Sequence, residues 1–207
     1  MYLMTKRLID ITLSLMGLSL LSPIFLFLII MIKLDSKGPV LFKQKRFGIN
    51  KTHFYILKFR TMMVDTPKDI PTHLLEDPEK YITRVGKLLR KTSLDELPQI
   101  WNIFVGEMSI IGPRPALWNQ YDLIAHRDKY GANNVPPGLT GWAQINGRDE
   151  LPIEVKARLD GEYARKISFW MDVKCFFLTI IRVVKNDGVV EGGTGTIGES
   201  HKKERGL

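Results

Sequence analysis

Two adjacent acids, Asp95 and Glu96, are the side chains in this sequence best suited to chemistry. A carboxylate can attack phosphorus covalently. One or two carboxylates together with substrate phosphates also make up the usual surroundings of a protein-bound Mg2+. The same stretch, Ser93-Leu94-Asp95-Glu96, fits a capping box in which Ser93 and Glu96 satisfy backbone donors at a helix start. The helix dipole favours acids there without any catalytic role. Both readings stand on the local sequence alone. Residues of phosphate-binding type are spread around the pair: Lys58, Arg60, Arg90, Lys91, Arg114 and Arg148. Taken singly, each reads as a solvated surface charge except Arg114. Pro113 and Pro115 stiffen the backbone on either side of it, and a guanidinium grips phosphate oxygens in pairs. His53, His73, His126 and His201 have no metal-ligand spacing, and no local nucleophile–base signature is present. The lone Cys175 excludes an intrachain disulfide and a cysteine-cluster zinc site. It reads as a small core residue.

These residues need elements to hold them. Val40 to Arg60 reads as a β-hairpin about Gly48-Ile49-Asn50-Lys51, with Lys58 and Arg60 at its end. Residues 64–80 contain Pro67, Pro71 and Pro78 and read as a surface loop. A helix is predicted over Thr83 to Lys91. A second begins near Ser93 and sets Leu97, Ile100, Trp101, Phe104, Val105 and Met108 on one face. Gly112-Pro113-Arg114-Pro115 ends that pattern. A polar helix is predicted over 117–130, a break at Pro136-Pro137-Gly138, and a further helix over 152–165. Phe169 to Lys185 forms a wide apolar helix with Lys174, Arg182 and Lys185 inside an arc of about 80°. It suits the membrane interface or an ordinary core equally. The tail after Asp187 is Gly-rich and polar, and Gly192-Gly193-Thr194-Gly195 lacks the lysine of a phosphate loop.

The N-terminal segment is of another kind. Ile11 to Ile32 is a run of 22 residues without a charge. As a straight helix it would reach about 33 Å, roughly one hydrocarbon core. Its polar side chains are too few for a soluble amphipathic helix, and no small-residue cleavage site follows it as in a signal peptide. Ser22-Pro23 stands at its middle, where proline removes a helix hydrogen bond and the serine hydroxyl can take the freed carbonyl. Lys6 and Arg7 precede the run, while Lys33, Lys37, Lys43, Lys45 and Arg46 follow it. Positive charge on both flanks favours a helix that enters, bends at Ser22-Pro23 and returns, over a kinked span.

With 207 residues, 44% hydrophobic and 25% charged, the chain is neither disordered nor a disulfide scaffold. Its net charge of +8 calls for an anionic partner. A nucleic-acid-binding module is opposed by the apolar run and by the lack of any reader motif. A membrane scaffold without activity would leave Asp95-Glu96 as a helix cap. The predicted fold is α+β and mostly α. It comprises a re-entrant membrane helix (1–36), a compact catalytic domain with a β-hairpin and interfacial amphipathic helices (37–187), and a flexible tail (188–207).

Four motifs occur in order: Lys58-Phe59-Arg60-Thr61-Met62, Ser93-Leu94-Asp95-Glu96-Leu97-Pro98-Gln99, Gly106-Glu107-Met108-Ser109-Ile110-Ile111-Gly112-Pro113-Arg114-Pro115 and Pro137-Gly138-Leu139-Thr140-Gly141-Trp142-Ala143-Gln144. Together they resemble the bacterial sugar transferases, the monotopic phosphoglycosyl transferases, from Lys6 to about Lys185. The form expected is the small one, without additional N-terminal spans. The resemblance implies transfer of sugar-1-phosphate from a UDP-sugar to undecaprenyl phosphate, with UMP released. It implies Mg2+ and a ping-pong route through a phosphosugar on Asp95. Glu96 would complete the dyad, helping to hold the metal or manage the proton. Lys58, Arg60, Arg90, Arg114, Gln144, Arg148, Asp160 and Tyr163 are the substrate- and phosphate-binding residues it suggests, with Ser22 and Pro23 breaking the membrane helix. It also implies residence in membrane lipid, on the cytoplasmic face of the bacterial inner membrane, and no nucleic-acid partner. One departure is Asp160-Gly161-Glu162-Tyr163, where the family pattern is Asp-x-Tyr-Tyr.

Overall fold

The structure, a computed structural model, describes residues 2–66, 78–147 and 151–184. The predicted tail, residues 67–77 of the predicted 64–80 loop, Arg148 and Lys185 lie outside them. Two helices open the chain, α1 (Tyr2–Leu20) and α2 (Ser22–Asp35), bent by 60° where they meet. Pro23 has no N–H to give the carbonyl of Ser19, and the Ser22 hydroxyl donates to that carbonyl at 2.8 Å instead. Neither helix alone is long and apolar enough to cross a membrane, but the bent pair passes that test together.

Helix α1 is apolar outside and polar inside. Leu3, Met4, Leu8, Leu13, Leu15 and Met16 are exposed, whereas Lys6, Asp10 and Ser14 are buried, one helical turn apart. Each inward group is used. Lys6 Nζ pairs with Asp172 Oδ2 at 2.6 Å. Asp10 accepts the Ile110 N–H at 3.0 Å, and the Ser14 hydroxyl donates to the Asp10 carbonyl at 2.6 Å.

The predicted hairpin is present as β1 (Leu41–Phe47) antiparallel to β2 (His53–Phe59), joined by a tight turn over Ile49–Lys51. Helix α3 (Arg84–Thr92) is capped by the Thr83 hydroxyl, which accepts the Gly86 N–H at 2.9 Å. The next segment departs from expectation. Ser93 has φ +57° and closes α3, so it caps nothing after it. Leu94–Glu96 form a 3-10 turn, and α4 is short, Gln99–Val105. Pro98 lacks the N–H that an α-helix would direct to the Leu94 carbonyl, and Leu97 takes that carbonyl at 3.3 Å. The capping box is therefore not formed.

The predicted apolar face is only partly a core face: Leu97 packs on the α2, β2 and α3 side chains and Met108 is buried. Gln99, Asn102 and Ile103 are buried, while Trp101 and Val105 are exposed. Helix α4 packs on α1, with Arg7 donating to the Ile103 and Phe104 carbonyls at 2.6 and 2.7 Å.

A short parallel pair, β3 (Ser109–Ile111) and β4 (Gly138–Thr140), was not anticipated. Both strands lie against Pro- and Gly-rich stretches that read as breaks. Glycine permits the pairing, because a Cβ at Gly138 would collide with the Gly112 backbone. The helix expected over 117–130 is confined to α5 (Tyr121–Asp128). Helices α6 (Trp142–Ile145), α7 (Ile153–Lys166) and α8 (Phe169–Val184) follow. One core cluster joins α2, β2 and α3 through Leu28, Ile32, Phe59 and Leu89. Another joins β3, α6, α7 and α8 through Ile111, Ile145, Tyr163 and Cys175. Burial pushes the Cys175 thiol up to about 12, as befits an inert core residue. Helix α8 has one buried and one apolar exposed side: Cys175 is buried, while Phe169, Trp170, Phe176, Phe177, Ile180 and Ile181 are exposed.

Candidate active site

Strand β2 and the 3-10 turn before α4 meet at the acid pair. Asn102 keys them together: its amide oxygen accepts the Leu57 N–H at 3.0 Å and its nitrogen donates to the Tyr55 carbonyl at 2.9 Å. Phe59 is buried, which anchors the strand end and leaves Lys58 beside the turn. Lys58 Nζ lies 2.7 Å from Glu96 Oε1 and 3.7 Å from Asp95 Oδ2. Arg114 Nη2 reaches the same Glu96 oxygen at 3.3 Å. The Asp95 and Glu96 side chains are 13% and 21% exposed, so both still meet solvent.

The two acids differ in charge behaviour. Burial pushes the Glu96 carboxyl up, but Arg114 and Lys58 together outweigh it and hold the group at about 2. Asp95 moves the other way. Burial raises its pKa, Glu96 adds to the rise, and Lys58 and Arg90 oppose it incompletely. The arrangement is one permanently charged carboxylate that collects cations and one neighbour that is poorly stabilised as an anion. A poorly stabilised anion is a better nucleophile.

Of the residues singled out in the sequence, Lys58, Asp95, Glu96 and Arg114 come together, and Arg90 acts on Asp95 through its charge while its Nε donates to Thr61 Oγ1 at 3.0 Å. The others have other work. Arg60 is buried, and its guanidinium donates to the Ser36 and Lys37 carbonyls, tying the exit of α2 to β2. Gln144 donates to the Leu139 carbonyl at 3.1 Å. Asp160 is buried against Arg127. The Tyr163 hydroxyl lies 2.7 Å from Asp172 Oδ1 and 3.1 Å from the Ile111 carbonyl. Asn102, Arg127 and Asp172 were not singled out beforehand. The signal for Asn102 was its place, polar and one turn from Gln99, on the supposedly outward face of α4. Arg127 and Asp172 carried no local signal.

Carboxylates interleaved with cations in this way are the kinds of group that phosphoryl transfer uses. The chain belongs to the bacterial sugar transferase family, whose profile matches residues 1–186. It is 41% identical over 184 residues to a sugar transferase of Bacillus subtilis, EpsL, itself uncharacterized, covering 89% of each chain. It is 40% identical over 190 residues to the UDP-glucose:undecaprenyl-phosphate glucose-1-phosphate transferase of Escherichia coli, covering 86% of this chain and 39% of that one. It is also 40% identical over 194 residues to the undecaprenyl-phosphate glucose phosphotransferase of Komagataeibacter xylinus, covering 88% of this chain and 36% of that one. The chain thus spans about two fifths or less of the length of these two named transferases.

Proposed function

We propose that the chain transfers sugar-1-phosphate from a UDP-sugar to undecaprenyl phosphate, in two displacements at Asp95. In the first, an Asp95 oxygen bonds to the β-phosphorus, the bond from that phosphorus to the bridging oxygen breaks, and UMP leaves with the electron pair. In the second, an oxygen of the polyprenyl phosphate bonds to the same phosphorus and the bond to Asp95 breaks. The carboxylate is restored and no proton is gained or lost. The observation that carries this reading is the asymmetry of the pair: Glu96 holds Lys58 and Arg114 while Asp95 is left poorly stabilised as an anion. Lys58 and Arg114, beside the pair, would offset the charge that moves in phosphoryl transfer. Asp95 and Glu96 also supply the hard oxygen donors that Mg2+ takes. Among the described residues no group of three or more acidic, His or Cys side chains forms a cage, so the donor phosphates would complete its surroundings. When bound, the ion would neutralise charge on the diphosphate.

The acceptor is a lipid, and the bent helix pair supports a membrane-embedded site. Lys6 and Arg7 at one end of the pair and Asp35 at the other all bond to the same body: to Asp172, to the end of α4 and to the Val85 N–H. These bonds support a reading with both ends on one side of the bilayer, which by the charge rule is the cytoplasmic face.

The test is UMP release by the detergent-solubilised chain with undecaprenyl phosphate, Mg2+ and a panel of UDP-sugars, alongside Asp95→Asn. Acceptor-dependent UMP with at least one sugar, lost by more than about 10³-fold in the variant, is the expected result. Release of UDP in place of UMP would mean ordinary glycosyl transfer and overturn the proposal.

A further inference from the structure

The Pro113-Arg114-Pro115 triplet is held in an unusual way. Neither proline has an N–H, so backbone pairing can grip the triplet almost only by its carbonyls. All three carbonyls accept. Pro113 takes the Gly138 N–H at 2.9 Å, Arg114 takes Arg127 Nη2 at 2.9 Å and Pro115 takes Arg46 Nη1 at 3.0 Å. The central one is served by a buried charge. Arg127 is 4% exposed, and its Nε and Nη2 both donate to Asp160 Oδ2, at 2.8 and 2.6 Å. Nη2 is thus shared between the Asp160 carboxylate and the Arg114 carbonyl. Asp160 stands on α7 and Arg127 in the last turn of α5, and Gly161 lets the helices close. A Cβ at that position would collide with Tyr130. The glycine in Asp160-Gly161-Glu162-Tyr163 therefore seats the ion pair. Glu162 faces elsewhere, accepting the Trp142 indole N–H at 3.1 Å.

We infer that Arg127, oriented by Asp160, is a positioning residue that fixes the backbone of Arg114 and so aims the Arg114 guanidinium at Glu96 and the donor diphosphate. The inference rests on the reading of Arg114 as a phosphate-binding side chain given above. A guanidinium is suited to the task, because its rigid fork serves a carboxylate and a carbonyl at fixed geometry. A lysine would keep the charge opposite Asp160 but could not reproduce the fork.

The experiment is a double-mutant cycle read by UDP affinity, measured by titration calorimetry on the full chain in detergent. Its four proteins are the parent, Arg127→Lys, Arg114→Gln and the double variant. Arg127→Lys is expected to weaken UDP binding about tenfold when Arg114 is present and less than about twofold when residue 114 is glutamine. Asp160→Asn, which keeps the side-chain shape, is expected to show the same dependence on Arg114. Equal fold-losses in both backgrounds would make Arg127 a general stability element and overturn the inference. So would unchanged affinity in Arg127→Lys, or a parent that binds no UDP. A coupled cycle in a chain that releases no UMP from any UDP-sugar would uphold the positioning role and sink the proposed reaction, so the two failures are distinguishable.

Discussion

Asp95 and Glu96 are neighbours with opposite linkage between charge and folding. Glu96 has its folded pKa lowered from 4.5 to about 2, so its ionised form stabilises the native state. That contribution is present in full above about 4.5 and is lost as pH falls toward about 2. Asp95 has its folded pKa raised from 3.8, chiefly by burial, so its ionised form destabilises the native state at neutral pH. That penalty disappears on acidification. Melting temperatures of the metal-free protein from pH 7 to pH 3 should separate the two. Glu96→Gln is expected to melt below the parent at pH 7, with the gap closing in acid. Asp95→Asn is expected to melt above the parent at pH 7 and to lose that advantage in acid. A lower melting temperature for Asp95→Asn at neutral pH would mean that Lys58 stabilises the aspartate more than burial penalises it. The site would then not be strained.

At the scale of elements, the bend between α1 and α2 carries the proposed re-entry into a bilayer. The shorter arm, α2, has 14 residues and is about 21 Å long. With a 60° bend, arms entering and leaving one face must each lie about 60° from the bilayer normal. The tip of the shorter arm then reaches a depth of about 10 Å, a third of a hydrocarbon core of ~30 Å. Replacing Ser22 and Pro23 together by alanine restores the hydrogen bond to the Ser19 carbonyl and favours one straight helix. A tag placed before residue 1 is expected on the cytoplasmic side in the parent. In the double variant it is expected on the far side in a measurable fraction of molecules. A parent tag found outside the cell would refute re-entry.

This bend was legible because two residues carry it locally, and the β1–β2 hairpin was legible because alternation and turn residues agree. The 3-10 turn at Leu94–Glu96 was not. The Ser93-x-x-Glu96 spacing matches a cap, and only the positive φ of Ser93 reveals that α3 has already ended there. The acid pair itself was found from residue type, but its cations were sorted only in three dimensions. Arg60 and Asp160 have the right chemistry, yet one serves the α2 exit and the other serves Arg127. The β3–β4 pair escaped notice because three residues per strand leave no alternation to read.

For the molecule as a whole, α1 and α8 close on each other through one largely buried charge pair. Lys6 and Asp172 lie 166 residues apart in sequence and 2.6 Å apart in space. Asp172 also accepts the Tyr2 and Tyr163 hydroxyls, at 2.6 and 2.7 Å. Helix α1 is therefore joined to α8 and to the β3 region, so the bent helix pair and the body that carries the acid pair share one frame. Removing one partner of such a pair strands the other, at a cost of about 3–5 kcal/mol. Lys6→Met should accordingly lower the melting temperature in detergent by about 6–20 °C for a chain of this size. Lys6→Met combined with Asp172→Asn removes both charges and leaves the carboxamide with its hydroxyl neighbours, so at least half of the loss should be recovered. If the double variant melts no higher than Lys6→Met alone, the cost lies in the packing of the lysine stem and not in the stranded carboxylate. The charge pair would then not be what couples α1 to α8.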